Sequence, residues 1–189
     1  MPIAKRVSCG AELEAIRALQ EANLKGNLSP EEREREGFVT AVYSADFLQL
    51  MHDAEPSVIA VDEATGALVG YALAATREVA GKHDLLADLV RHVDELSHDS
   101  QLLANTDYCI VGQLCTRKGF RNRGVAQAMY QHYAEELRGK YRYLVTDIDE
   151  KNPMSLGLHL KAGFQVIGTL SFDGASFNVV LWDWNRNNK

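Results

Sequence analysis

Cysteine is scarce in this sequence, and nothing pairs it. Cys9, Cys109 and Cys115 form no CxxC motif. An odd count without tight spacing reads as reduced thiols in a cytoplasmic protein, and Cys109 and Cys115 lie in an apolar run where burial is the simpler role. Long hydrophobic runs are missing too. No stretch approaches the roughly 18 apolar residues of a membrane span, so no membrane association is expected. No apolar segment follows Met1–Arg6, so no secretory signal is expected. An excess of positive charge is also absent. Lys and Arg number 20 against 26 Asp and Glu, a net charge of -6. That argues against nucleic acid as a partner and is compatible with a cationic substrate. The Walker GxxxxGK[ST] loop and the GxGxxG dinucleotide fingerprint do not occur.

What is present is a globular composition, 46% hydrophobic and 24% charged over 189 residues, enough for one domain with a core. There is no internal repeat, low-complexity segment or convincing linker. Ile3–Val7 reads as a short strand. Leu13, Ile16 and Leu19 give helical spacing. Ser29-Pro30-Glu31-Glu32 is a capping box with proline at the first helical position. Asp46–His52 suggests another helical turn. Ser57–Asp62 and Ala67–Ala75 flank Glu63-Ala64-Thr65-Gly66 as a hairpin. Leu85, Leu86, Leu89, Val90, Val93 and Leu96 predict an amphipathic helix over 82–98. A strand at Tyr108–Thr116, a helix at Gly124–Lys140 and a strand at Tyr143–Ile148 follow. Asn152-Pro153 starts the next helix and Gly163-Phe164 ends it. Phe164–Phe172 and Ser176–Trp184 flank Asp173-Gly174, a strong hairpin signal. The polar tail Asn185–Lys189 is expected to fray. The order predicts an α/β sheet that mixes antiparallel hairpins with one parallel crossover.

The chemistry concentrates in Gln113–Gln127. A strand ends, a loop bearing Gly and Arg follows, and a helix begins. Helix N-termini present unpaired N–H groups and partial positive charge, a geometry that binds phosphate. Gly124 and Ala126 leave room at the backbone, and Arg121 and Arg123 can add charge-assisted contacts. By itself such a loop can also be a capped loop with no ligand.

Arg121-x-x-Gly124-x-Ala126 after an apolar strand resembles the [QR]-x-x-G-x-[GA] signature of the GNAT superfamily of acyl-CoA N-acyltransferases. Asn152, Ser155 and His159-Leu160-Lys161-Ala162-Gly163-Phe164 resemble the later helix of that superfamily, in its order and at about its separation. The resemblance covers about 57–183 apart from the inserted helix. It implies a mixed, mostly antiparallel sheet of six to seven strands flanked by helices, with a V-shaped split at the strand ending near Thr116. It implies one domain, 1–189: a helix-rich acceptor side at 1–56, a helical insertion at 77–106, and an acyl-CoA-binding core at 107–183. Acetyl-CoA is the implied cosubstrate, with no metal. Leu114, Cys115 and Thr116 would bond the pantetheine arm through backbone groups. Arg121, Asn122, Arg123, Gly124, Val125, Ala126 and Gln127 would surround the pyrophosphate. Asn152 and Ser155 would contact the cofactor arm, although helix capping alone explains their placement equally well. The acceptor would be a small-molecule amine or a protein amino group, and a homodimer is compatible with the family.

Amide formation from a thioester needs a neutral amine, a stabilised oxyanion and a protonated leaving thiolate. Many relatives carry Glu where this chain has Gln113, and Tyr where it has His159. His159 is therefore a candidate general acid or else a structural histidine. Asp147, at a strand end, is the first candidate base, with Tyr43, Asp107 and Asp149 behind it; each can also be an ordinary solvated or capping residue. These departures motivate an alternative reading, a catalytically silent acyl-CoA-binding or sensor module; a weaker rival is a loop that holds ATP phosphates. His83, His92 and His98, interleaved with Asp84, Asp88, Asp94 and Asp99, show no metal-ligand spacing and read as a solvated helix face. Trp182 and Trp184 alternate on the last strand and share a face, for core or dimer packing.

Overall fold

The computed structural model describes residues 2–184, so the tail from Asn185 onward lies outside the described residues. The chain runs β1 (Pro2–Arg6), α1 (Gly10–Asn23), α2 (Pro30–Glu36), α3 (Ala45–Ala54), β2 (Val58–Asp62), β3 (Leu68–Ala75), α4 (Arg77–Ala80), α5 (Asp84–Glu95), β4 (Ser97–His98), β5 (Gln101–Leu102), β6 (Tyr108–Thr116), α6 (Val125–Leu137), β7 (Tyr143–Asp149), α7 (Pro153–Ala162), β8 (Gln165–Phe172) and β9 (Ala175–Asp183). Local chemistry starts several of these elements. Ser29 and Glu32 form the reciprocal capping box of α2, Ser44 caps α3, and Asn152 caps α7 with Pro153 behind it. Gly163 ends α7 in the left-handed conformation.

Seven strands form one sheet in the order β1-β2-β3-β6-β7-β9-β8. β6 and β7 pair in parallel, and the other neighbours are antiparallel. α1, α3 and α5 cover one face, burying Ile16, Leu48, Met51, Leu86 and Leu89 against Tyr71, Leu73, Ile110 and Val145. α6 covers the other with Met129, Tyr130 and Tyr133 against Val69, Val111, Leu144 and Val180. Val145 and Leu144 fall on opposite faces because successive strand residues alternate. Burying each large apolar side chain contributes about 1.5–3 kcal/mol, so these two layers hold the sheet between them. Trp182 and Trp184 do share a face, with ring centroids 6.0 Å apart, and Trp182 packs on Tyr130 and Phe164.

One expectation needs correction. The helix expected over 82–98 ends at Glu95, and residues 97–102 form the small β4–β5 hairpin instead. Its turn uses Asp99 and Ser100, both with positive φ (49° and 64°). Neither is glycine, so the sequence carried no turn signal there. His98 therefore leaves the solvated helix face and is buried, its ring edge-on to Tyr143.

The feature that positions the site is a split in the sheet. β6 stays paired with β3 as far as Gly70↔Thr116. It pairs with β7 only from Tyr108↔Tyr143 to Ile110↔Val145. Thr146 Oγ1 donates to the Val111 carbonyl at 2.8 Å, and beyond that point the two strands part. The β3–β6 register slips between Leu73 and Ala74, so that Gly112 is an extra residue. A bulge of this kind bends the strand and increases its twist.

Candidate active site

The split opens a cleft of about 630 Å³, within the range of small-molecule sites. All the residues expected to hold the cofactor line it together: Leu114, Cys115 and Thr116 from β6, Arg121–Gln127 from the following loop and helix, and Asn152 and Ser155 from α7.

The loop is shaped by backbone conformation. Asn122 (φ 59°) and Gly124 (φ 76°) are left-handed, and Gly124 is the N-cap of α6. Asparagine and glycine tolerate that region where other residues would be strained. No side chain caps α6. Its leading N–H groups therefore remain available to an anion in the cleft. Arg35, Lys118, Arg121, Arg123 and Lys161 line the same cleft against one acid, Glu36. A chain of net charge -6 thus gathers cations at one place, which suits a polyanionic ligand.

The Arg121 side chain has other work. Its Nε donates to the Thr116 carbonyl at 3.0 Å, Nη1 to Glu36 at 2.6 Å and Nη2 to Asn23 Oδ1 at 2.5 Å. It ties the loop to α1 and α2, so its guanidinium is already engaged within the fold. Asn152 is also more than a contact. Its Oδ1 accepts from the Ser155 N–H at 3.2 Å, and its Nδ2 donates to the Phe38 carbonyl at 3.0 Å. A methyl at Gly37 (φ 74°) would sit 2.9 Å from Asn152 Oδ1, so only glycine lets residues 36–39 lie this close to α7. The wall made by Glu36, Gly37, Phe38 and Val39 was missed from the sequence. It carries no motif, and its contact with Asn152 joins residues 114 positions apart.

On the opposite face of the split stand the other candidates. Gln113 is locked: its Oε1 accepts from Tyr71 Oη at 2.6 Å and Gln20 Nε2 at 2.9 Å, and its Nε2 donates to the Ala41 carbonyl at 2.9 Å. Tyr43 is buried and its hydroxyl donates to the Gly112 carbonyl, at the bulge, at 2.9 Å. Burial, reinforced by the nearby negative charge of Asp147, holds its phenol well above the usual range. Asp147 shares the face of Val145. Its Oδ2 is buried with no hydrogen-bond partner among the described residues, and burial pushes the carboxyl up to about 6. Asp149 is paired with Lys25 at 2.7 Å. Asp107 is exposed and its carbonyl accepts from Arg142 N–H, a structural position remote from the split.

His159 departs from the expectation of a general acid. It is buried, with Nδ1 2.8 Å from the Ser155 carbonyl and Nε2 2.6 Å from Tyr130 Oη. A carbonyl can only accept, so Nδ1 carries the proton and Nε2 accepts from the tyrosine. Burial pushes its pKa down to about 4. The imidazole is neutral near pH 7 and its one proton is committed, the state of a structural histidine. Cys115 is no nucleophile either. Burial pushes its thiol up to about 11, which leaves little thiolate at neutral pH. Among the described residues His98, Asp99 and Asp183 bring ligand atoms within 4.8 Å of one another. Both aspartates have other partners, and this cluster sits where β9 ends, away from the cleft.

Solved structures share this architecture. A GNAT-family acetyltransferase from Streptococcus agalactiae superposes with a TM-score of 0.64 at 19% identity, covering 96% of this chain and 95% of that one. The NatC complex bound to Gag peptide and CoA matches with a TM-score of 0.65 at 14% identity, over 96% and 98%. A GNAT phosphinothricin acetyltransferase from Sinorhizobium meliloti in complex with acetyl-CoA matches with a TM-score of 0.60 at 16% identity, over 96% and 88%. No curated protein matches the chain. The acetyltransferase (GNAT) family model matches residues 27–164, from the turn before α2 through the C-terminal Gly-Phe of α7, and the chain belongs to that family.

Proposed function

We propose that the protein transfers an acetyl group from acetyl-CoA to a primary amine by direct attack in a ternary complex. The observation that carries this is the convergence of the Leu114–Thr116 edge, the uncapped N-terminus of α6 and the Asn152–Ser155 turn on one cation-lined cleft at a split sheet. Backbone groups of Leu114–Thr116 would orient the pantetheine arm, and Asn122–Gln127 the pyrophosphate. Relatives of this architecture solved with CoA or acetyl-CoA support the choice of cosubstrate.

The amine would enter from the face of Tyr43 and Asp147. A lysine-like amine has a pKa of about 10.4, so roughly one in a thousand is neutral at pH 7, and a base helps. Asp147 supplies it: the partnerless Oδ2 can accept an ammonium proton, and a pKa near 6 leaves it ionised at neutral pH. Tyr43, held on the Gly112 carbonyl, would position the amine beside it. A backbone N–H at the bulge would meet the developing oxyanion. His159 would act as a positioning residue that fixes α7 against α6. With Cys115 protonated, attack is direct rather than through an acyl-cysteine.

Thiol release measured with acetyl-CoA across polyamines, amino acids, antibiotics and peptide N-termini tests the reading, followed by longer acyl-CoAs. The silent, cofactor-sensing alternative draws on the locked Gln113 and the neutral His159. Tight acetyl-CoA binding without thiol release on any amine selects it.

A further inference from the structure

We propose that Lys25 is a self-acetylation site of this protein; the inference rests on the acetyl-transfer reading above. Lys25 follows α1 and carries an ammonium seated against two groups that recognise ammonium. Its Nζ lies 2.7 Å from Asp149 Oδ2 and 4.6 Å above the Phe38 ring. Carboxylate and aromatic face together are the chemistry of an alkylammonium site.

This site closes on itself against the wall of the cleft. The Asn152 N–H donates to the Asp149 carbonyl at 2.8 Å, Asn152 Nδ2 donates to the Phe38 carbonyl, and the Lys25 N–H donates to the Val39 carbonyl at 2.9 Å. Phe38, Val39 and Asn152 all line the cofactor cleft. Asp149 alternates with Asp147 on β7, so the two carboxylates share a face with Cα atoms roughly 7 Å apart. The Lys25 amine is thereby held on Asp149, two residues along β7 from the proposed base, and over Phe38 of the cleft wall. Lys118 and Lys161 line the outer cleft among the groups assigned to phosphate.

In the reaction the Lys25 ammonium gives one proton to Asp149, and the freed lone pair attacks the thioester carbonyl of bound acetyl-CoA. The C–N bond forms as the C–S bond breaks. A second nitrogen proton goes to the departing CoA thiolate, and Asp149 releases its proton to solvent. The amide is neutral, so Asp149, almost fully buried, loses its counter-ion and the contact between 25–39 and β7 is weakened.

The full chain is incubated with acetyl-CoA and no amine, and acetylation of each of the eight lysines is followed by peptide mass spectrometry. The expected result is Lys25 labelled at least 10-fold faster than any other lysine, at a rate independent of protein concentration, and a lowered melting temperature of the labelled protein. Lys25→Arg keeps a cation beside Asp149 and should abolish the label without that loss. Calorimetric acetyl-CoA binding and thiol release on the amine panel are measured in parallel. Binding and turnover with Lys25 unlabelled, or labelled no faster than the exposed lysines, overturn the inference alone. Failure to bind acetyl-CoA overturns it together with the functional reading.

Discussion

Asp147, the proposed base, would set the balance between stability and chemistry at a single residue. Its folded pKa is raised above the usual carboxylate value, so its neutral form is the one the fold favours. The associated stability is complete below about pH 4 and is lost as pH rises through about 6. Asp147→Asn should therefore raise the unfolding free energy at pH 8 by about 3 kcal/mol, read by denaturant titration. The same variant should lower kcat/KM by about 100-fold and remove the ascending limb near pH 6. A profile that keeps this limb would rule Asp147 out as base. His159 has the opposite sign. Its folded pKa is depressed, so stability is lost as pH falls from 6.5 toward 4. His159→Ala should cost about 2 kcal/mol through the lost Tyr130 and Ser155 bonds. It should leave the shape of the pH–rate profile intact, whereas a general acid would take its descending limb with it.

The cleft depends on two elements meeting, the segment after α2 and the start of α7. Gly37→Ala introduces strain at φ 74° and a contact of 2.9 Å with Asn152 Oδ1. With ψ at 179°, a region essentially restricted to glycine, the strain alone costs about 1–3 kcal/mol. The closer wall should weaken acetyl-CoA binding about 10-fold, measured by calorimetry, if displacement costs a further ~1.4 kcal/mol of binding energy. An unchanged affinity would mean that residues 36–39 take no part in the cofactor site. At this scale the sequence was legible wherever local chemistry decides. The Ser29 capping box, the Asn152-Pro153 start and the Gly163 stop all form as the residues require. It was illegible at 97–102, where Asp99 and Ser100 adopt a turn that their side chains do not announce.

For the whole molecule, the cleft joins α1 and α2 to β6, α6 and α7, so a ligand there should stabilise the fold as a unit. Acetyl-CoA at about 100 times its Kd adds about 2.7 kcal/mol. In a chain of this size that raises the melting temperature by roughly 5–10 °C, which differential scanning fluorimetry reads directly. ATP at the same concentration should give a smaller shift, because it has no pantetheine arm to meet the Asn152–Ser155 side. An equal shift with ATP would return the loop to a generic phosphate site.

The sequence by itself determined the main element order outside 97–102, the parallel crossover and the residues that line the cleft. Phosphate recognition at a helix N-terminus needs only a short loop of suitable backbone, and Arg121–Ala126 is contiguous. Only the tertiary structure decided the roles around it. Arg121 turned inward because Glu36 and Asn23 reach it from α1 and α2. His159 lost its acid role because Tyr130 and the Ser155 carbonyl take both ring nitrogens. Asp147 gained its raised pKa from burial at the split, and Lys25 found Asp149 across 124 positions of chain. A protonation state follows from desolvation and from partners brought together by long-range packing, and neither is written in local spacing.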